Sequence, residues 1–289
     1  MNYEVTHVTR YTYGATVELS NGILRLVPRS RGGQVLERFG LITEPPSFPP
    51  AERLDAFGNT VTSFRIEKPH RSLSIAATSR VRVDRPTLPA SSPPWESVAA
   101  EALTVASLSP DCPAIALYPS RRISLFADAT AYARNSFSDR RSIHEAAMDL
   151  TSRIHEDFVY DTSATEVSTP AYDAFRRRRG VCQDFAHIMI AALRGLGLPA
   201  LYVSGYIRTV SPPGKERLAG ADASHAWVSL WCGAISGWRD FDPTNAQAVQ
   251  NDHIVVAYGR DYSDASPVES MVRSSGRHQL DVEVDVVPM

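Results

Sequence analysis

Cys182 is the residue whose type and position most clearly offer chemistry. It lies in the first turn of the strongest predicted helix of the chain, residues 181–198. The unpaired N–H groups and the dipole of a helix N-terminus favour an anion, so a thiolate should be well populated there. The same N–H groups can donate to a developing oxyanion. Cys182 also shares the apolar stripe of this helix, so helix geometry alone leaves open a small buried core residue.

A nucleophilic thiol needs a base, and the chain contains eight histidines. His187 lies five residues after Cys182, which places it roughly 140° away around the helix. We therefore interpret His187 as a structural or helix-surface residue. His225 is the better candidate because it begins the predicted strand 225–232, whose alternate members share one face of a sheet.

Asp242 is predicted to orient His225. A hairpin with residue 232 opposite residue 237 pairs 227 with 242 and 225 with 244. Asp242 then lies on the same face as His225, on the adjacent diagonal, within reach of an imidazole. Asp240 is the weaker orienting candidate, and a register shift of one residue would remove the argument. Cysteine, histidine and aspartate in this order are what a thiol-dependent acyl-transfer enzyme requires.

Two other kinds of site, a zinc site and a serine triad, are disfavoured by the positions of these residues. A zinc site built from Cys182, His187, His225 and Asp242 is disfavoured because the helix points the first two apart. A serine triad fails because Ser224 faces away from the adjacent His225 on a strand. We expect no metal and no cofactor, and we interpret Cys112 and Cys232 as inert structural thiols.

The elements that must position these residues divide the chain into three parts. Residues 1–85 are rich in β-branched and aromatic residues with frequent turns, which predicts a β-sandwich-like domain. Seven prolines fall in residues 86–119, which we interpret as a linker with a short helix near 95–106. Residues 120–289 alternate between helical and strand patterns and should form the catalytic domain. Its predicted helices span 120–135, 142–158, 171–179 (closed by Gly180) and 181–198, and its strands span 200–207, 225–232, 237–242 and 279–286.

Around these residues the chain resembles the transglutaminase-like superfamily of papain-fold cysteine enzymes, in its bacterial branch with a β-rich N-terminal region. The resemblance is carried by GVCQDFAH at 180–187, GLPA at 197–200, VSGY at 203–206, HAWV at 225–228, GW at 237–238 and FDPTN at 241–245. Outside this core, DAFGN at 55–59 and AYGRDYSD at 257–264 are also similar. One departure is the segment 231–236, where the family pattern has a proline-glycine turn.

The resemblance implies an α+β fold, with a papain-like core in which a helix-head cysteine packs on an antiparallel sheet. It also implies roles: Cys182 as nucleophile, His225 as general base and later acid, and Asp242 as the orienting residue. The expected reaction is acyl transfer on a protein or peptide amide through a thioester. Water as acceptor would make the protein a peptidase or amidase, which we favour, and an amine would make it a transglutaminase. A retired catalytic fold used for protein binding is the remaining alternative.

The charge composition indicates which classes of binding partner to expect. The chain has 289 residues, with 30 Lys and Arg against 32 Asp and Glu, a formal net charge of −2. Without a basic excess we expect neither nucleic acid nor an anionic membrane as a partner. No apolar stretch or signal peptide is recognised, and three cysteines are too few for a disulfide framework, so we expect a cytoplasmic protein. The oligomeric state is not predicted.

Overall fold

The computed structural model describes residues 1–87, 89, 91–209, 223–273 and 276–289. Six strands come first, followed by helices and short strands up to the Cys182 helix, and then mostly strands. The strands before the first helix are β1 (Asn2–Val17), β2 (Leu19–Leu24), β3 (Gln34–Glu44), β4 (Ala51–Leu54), β5 (Thr60–Ile66) and β6 (His70–Val83). The middle elements are α1 (Trp95–Ala102), a 3-10 turn (Pro113–Ala116), α2 (Ala127–Arg134), α3 (Ile143–Asp157), β7 (Val159–Tyr160), α4 (Ala171–Arg177), β8 (Arg179–Gly180) and α5 (Cys182–Gly195). The last elements are β9 (Ala200–Ile207), β10 (Ala223–Trp231), β11 (Trp238–Asp242), β12 (Gln247–Ala248), β13 (His253–Gly259), α6 (Tyr262–Ala265), β14 (Val268–Arg273) and β15 (His278–Pro288).

The β-rich part is built from two four-stranded antiparallel sheets. Their strand orders are β15-β1-β6-β3 and β14-β2-β5-β4. In β1, the odd-numbered Tyr3 and Val5 are fully buried while Asn2 and Glu4 are exposed, as the alternation in the sequence predicts. An apolar cluster that includes Leu24, Phe64 and Leu73 draws on strands of both sheets. This is the sandwich arrangement that the turn-rich sequence predicts.

The last two strands lie in the sheets of the N-terminal region. β15 pairs antiparallel with β1, with Thr9 opposite Val282 and Tyr11 opposite Leu280. β14 pairs antiparallel with β2 along its length. The division into 1–85, 86–119 and 120–289 stays a prediction, but strands assigned to its third part complete both sheets of its first.

The second half forms a five-stranded sheet in the order β12-β11-β10-β9-β13. Helix α5 packs on one face of this sheet, and most of its residues are buried. Phe185, Met189 and Leu193 of α5 enter the same apolar cluster as Val228 and Leu230 of β10. The sheet and this buried helix form the rigid frame on which the candidate residues are mounted.

Some predicted elements differ from the structure. The helix expected at 120–135 is confined to Ala127–Arg134. Gly180 does not close α4, because Arg178 takes the left-handed conformation at φ 54° and Gly180 pairs with Tyr160 in a short parallel ladder. Strands β3, β13 and β14 were not predicted. Among the helices of the described residues, none has the length and apolar character that a membrane crossing requires.

Candidate active site

Cys182 is the first residue of α5, and it is half-buried. The preceding Val181 is extended, with φ −112° and ψ −179°, so the chain turns sharply into the helix. Asp184 stabilises this turn: its Oδ2 accepts from the Val181 N–H at 2.9 Å and from the Thr165 hydroxyl at 2.6 Å. Cys182 therefore lies at the N-terminus of α5, where the first-turn N–H groups have no partner within the helix, as the sequence predicts.

Gly180 is required here for space. A Cβ at this position would lie 2.5 Å from Asp184 Oδ2 and 2.8 Å from Asp184 Cβ. The carboxylate that caps the helix thus packs directly against the Gly180 backbone. Gly180 therefore serves the entry into α5, and its predicted role as the residue that ends α4 is wrong.

His225 and Asp242 lie on neighbouring strands in the predicted register. Trp231 is opposite Trp238 and Val228 is opposite Phe241, which continues the pairing of 232 with 237. His225 Nε2 lies 2.8 Å from Asp242 Oδ2, and both side chains are buried. Strand β11 ends at Asp242, where Pro243 cannot continue a ladder.

Asp242 is surrounded by donors. Its Oδ1 accepts from the backbone N–H groups of Thr244 at 2.9 Å and Asn245 at 3.2 Å. Its Oδ2 accepts from the Asn245 amide at 2.7 Å and contacts His225 and His253. Burial raises the pKa of a carboxyl group, but here the hydrogen bonds from His225 and His253 outweigh it and lower the pKa of Asp242. Asp242 is therefore a fixed buried anion.

His253 is a member of this network that the sequence analysis missed. It begins β13, is 1% exposed, and places Nε2 3.0 Å from Asp242 Oδ2. The one sequence signal for His253 is that it begins the apolar run HIVVAYG, which continues into the AYGRDYSD segment. The Trp227 ring lies 5.2 Å from the His253 ring and 6.0 Å from the His225 ring, between centroids.

Asp240, the weaker orienting candidate, has another partner. Its Oδ2 accepts from the Trp227 indole N–H at 3.1 Å. Trp227 fits only because Gly205, opposite His225 on β9, has no side chain; a Cβ there would collide with the indole ring. Asp240 thus holds the aromatic ring that packs against both histidines.

Cys182 and His225 form the second contact of the site. The Cys182 sulfur lies close enough to the His225 ring to raise its pKa, and both residues line the same cavity. Burial lowers the pKa of His225, but the hydrogen bonds and charges of Asp242 and Cys182 together raise it to about 10. The arrangement therefore favours an imidazolium beside the Asp242 carboxylate.

This raised pKa makes a prediction for stability. A histidine with a pKa of about 10 in the folded state stabilises the fold fully below its unfolded value of about 6.5. That contribution is lost as the pH rises through about 10. We expect the free energy of unfolding, measured with urea between pH 6.5 and 10, to fall more steeply for wild type than for His225→Gln. Parallel curves for the two proteins would contradict the shift.

Cys182 and His225 open into one cavity of about 310 Å³. Its lining also includes Tyr202 and Gln183 from the core. Burial raises the pKa of Tyr202 well above its usual range, so its hydroxyl stays a neutral donor. The Gln183 amide donates a hydrogen bond to the Val167 carbonyl at 3.1 Å. A substrate carbonyl can therefore meet the thiol beside two kinds of donor, a helix N–H and a phenol.

His187 was predicted to be a structural or a helix-surface residue. It is buried, which agrees with the structural role. Its Nε2 accepts from the Tyr262 N–H at 3.2 Å, and burial lowers its pKa to about 3. The ligand group found among the described residues includes neither His187 nor Cys182. The ligand atoms of His225, Asp242 and His253 lie within 4.8 Å of one another and could in principle hold a metal. Their separations of 2.8 and 3.0 Å from Asp242 Oδ2 are those of direct hydrogen bonds.

Comparison with known proteins shows which family contains this site. Residues 3–82 match the bacterial transglutaminase-like N-terminal region, and residues 130–243 match the transglutaminase-like superfamily. An uncharacterised protein of Mycobacterium tuberculosis is 40% identical over 296 residues, covering 99% of this chain and 92% of the relative. The chain belongs to the transglutaminase-like superfamily. This confirms the resemblance drawn from the Cys182, His225 and Asp242 segments.

Two further proteins are similar to this chain, one in structure and one over part of its sequence. The solved structure of a candidate cysteine protease from Cytophaga hutchinsonii superposes with a TM-score of 0.74 at 21% identity, covering 100% of this chain and 91% of that one. The predicted fold class, an α+β papain-like transglutaminase core with a β-rich N-terminal region, is thereby confirmed. A protein-glutamine gamma-glutamyltransferase of Pseudomonas aeruginosa is 30% identical over 132 residues, which is 43% of this chain and 20% of that protein.

Proposed function

We propose that this protein is a cysteine-dependent acyltransferase that acts on peptide amides through a thioester, with water as the main acceptor. The observation that carries the proposal is that Cys182 and His225 line one cavity, while the His225 ring is held 2.8 Å from the Asp242 carboxylate behind it. In this proposal Cys182 is the nucleophile, His225 the proton carrier and Asp242 the orienting residue.

The first half-reaction forms the thioester. The Cys182 thiolate attacks the amide carbonyl, and the negative charge moves to the carbonyl oxygen. The N–H of Cys182 and the Tyr202 hydroxyl are the donors we assign to that oxygen. His225 then gives a proton to the leaving amine as the C–N bond breaks.

The second half-reaction releases the acyl group. His225, now neutral, takes a proton from the acceptor as it attacks the thioester carbonyl, and Cys182 leaves as the thiolate. Asp242 keeps its charge throughout and stabilises the imidazolium each time it forms. Water yields a carboxylic acid, and an amine yields a new amide.

Water is favoured because it is always present, whereas transfer to an amine needs a dedicated acceptor site. Transglutamination is the second candidate activity, because the Pseudomonas aeruginosa relative is named for that activity. All three cysteines are free, and we propose a reducing cytoplasmic location on that basis.

The test is a mass measurement on wild type mixed with an excess of activated peptide ester or amide, quenched in acid. We expect an acyl adduct on the peptide that carries Cys182, decaying to free acid. Added glycine methyl ester partitions the same adduct, and the ratio of acid to amide product identifies the preferred acceptor. Turnover without an adduct on Cys182 would overturn the proposal.

A further inference from the structure

The cavity that contains Cys182 has a second wall made by the N-terminal sheet. His7, Thr9 and Tyr11 of β1 line it, together with Leu280 and Val282 of β15. These five side chains belong to one face of the sheet, since Tyr11 is opposite Leu280 and Thr9 is opposite Val282. Any substrate that reaches Cys182 must therefore lie against this sheet.

The exposed part of this wall is apolar. Leu280 is 51% exposed and Val282 is 44% exposed, although the next residues on the same face, Val284 and Val286, are buried in an apolar cluster with residues of β9 and β13. Strand β15 thus carries one continuous apolar row, half of which is packed and half of which opens into the cavity. Exposed apolar groups beside a reactive residue are a common feature of binding clefts.

Apart from the reacting pair Cys182 and His225, the described lining of this cavity carries no fixed charge. Among the described residues that line it there is no Asp, Glu, Lys or Arg. The one titratable group on the sheet side besides Tyr11 is His7, which contacts the Tyr206 and Thr9 hydroxyls at 3.0 Å each. Burial lowers the pKa of His7 to about 4, so it is neutral near neutral pH. A charged substrate side chain would lose water here and gain no counter-ion.

We propose that the substrate of this protein is a peptide whose residue flanking the reacting carbonyl is neutral and apolar, and that Leu280 and Val282 of the N-terminal sheet bind that residue. The proposal rests on the proposed function for the position of the reacting carbonyl. The volume of about 310 Å³ suits a short segment rather than a folded domain. The β-rich region then selects substrate, and the core does the chemistry.

Val287 provides a matched control for Val282. Both are valines on β15, and both are 44% exposed, but Val287 does not line the cavity. The probe is a set of three short peptide amides that carry leucine, glutamate or lysine beside the central amide. Binding is measured as protection of Cys182 against iodoacetamide, which needs no turnover.

We expect the leucine peptide to protect wild type at concentrations about tenfold lower than the glutamate peptide. Val282→Asp should weaken protection by the leucine peptide about tenfold and strengthen protection by the lysine peptide, whereas Val287→Asp should match wild type. If Val282→Asp does not fold, Leu280→Lys should show the reverse charge preference, for the glutamate peptide.

Equal protection by all three peptides, or equal effects of the Val282 and Val287 changes, would overturn the inference. The proposed function is judged separately, by the acyl adduct on Cys182. The two ideas can therefore fail independently.

Discussion

Replacement of Cys182 by alanine is expected to lower kcat/KM for amide substrates by about 10⁴-fold or more. The thiolate forms the bond to the substrate carbonyl, and alanine leaves no nucleophile at that position. Alkylation by iodoacetamide at this position should disappear with the sulfur. Both quantities are measured on the same preparations, by steady-state kinetics and by the mass of the labelled peptide.

Cys112→Ala is the matched control for this experiment. Cys112 is also a free thiol, 7% exposed, with its Sγ directed at the Val105 carbonyl at 3.8 Å. It lies outside the lining of the Cys182 cavity. We expect its loss to leave turnover within about twofold of wild type. Undiminished amide cleavage by Cys182→Ala would show that the chemistry is done elsewhere.

Asp242→Asn is expected to lower kcat by about 10⁴-fold. Both oxygens of Asp242 accept hydrogen bonds, Oδ1 from two backbone N–H groups and Oδ2 from the Asn245 amide and the two imidazoles. An asparagine must point its NH2 group at one of these sets of donors, so either orientation sets N–H against N–H. The neutral side chain also cannot stabilise the His225 imidazolium.

Asp240→Asn separates this effect from a general loss of charge. Asp240 lies on the same strand and the same face, and its Oδ2 accepts from the Trp227 indole, which an amide oxygen can replace. We expect kcat to change less than about tenfold. The measurement is kcat across pH 6–9 for both variants, and similar losses in the two would contradict the role assigned to Asp242.

The Asp242 change should also alter stability with the sign set by the lowered pKa. A carboxyl with a lowered pKa in the folded state stabilises the fold above its unfolded value of about 3.9. That contribution is lost as the pH falls through the folded value. The difference in unfolding free energy between wild type and Asp242→Asn should therefore shrink in acid.

Local signals account for what the sequence could predict. Helix α5 and the β10–β11 hairpin are short-range structures whose apolar patterns and turn fix which residues share a face. The register of the hairpin follows from its turn, and with it the meeting of His225 and Asp242. The position of Cys182 at the helix start follows from the same pattern.

Long-range pairing accounts for what it could not. His253 reaches Asp242 across the sheet from β13, and no spacing in the sequence marks that contact. β14 and β15 pair with strands some 250 to 280 residues earlier, which periodicity cannot indicate. β3 shows no regular alternation, because it is an edge strand with a bulge after Leu36, and its apolar residues Phe39 and Leu41 are only partly buried.

The pairing of β15 with β1 also sets an order of events during synthesis. β1 leaves the ribosome long before its outer neighbour, which is made only with residues 278–288. Contacts this distant in sequence form late, since closing so long a loop costs entropy before any contact forms. The nascent chain therefore contains Cys182 before the strand that carries Leu280 and Val282 has been made, so substrate selectivity should mature after the reactive core.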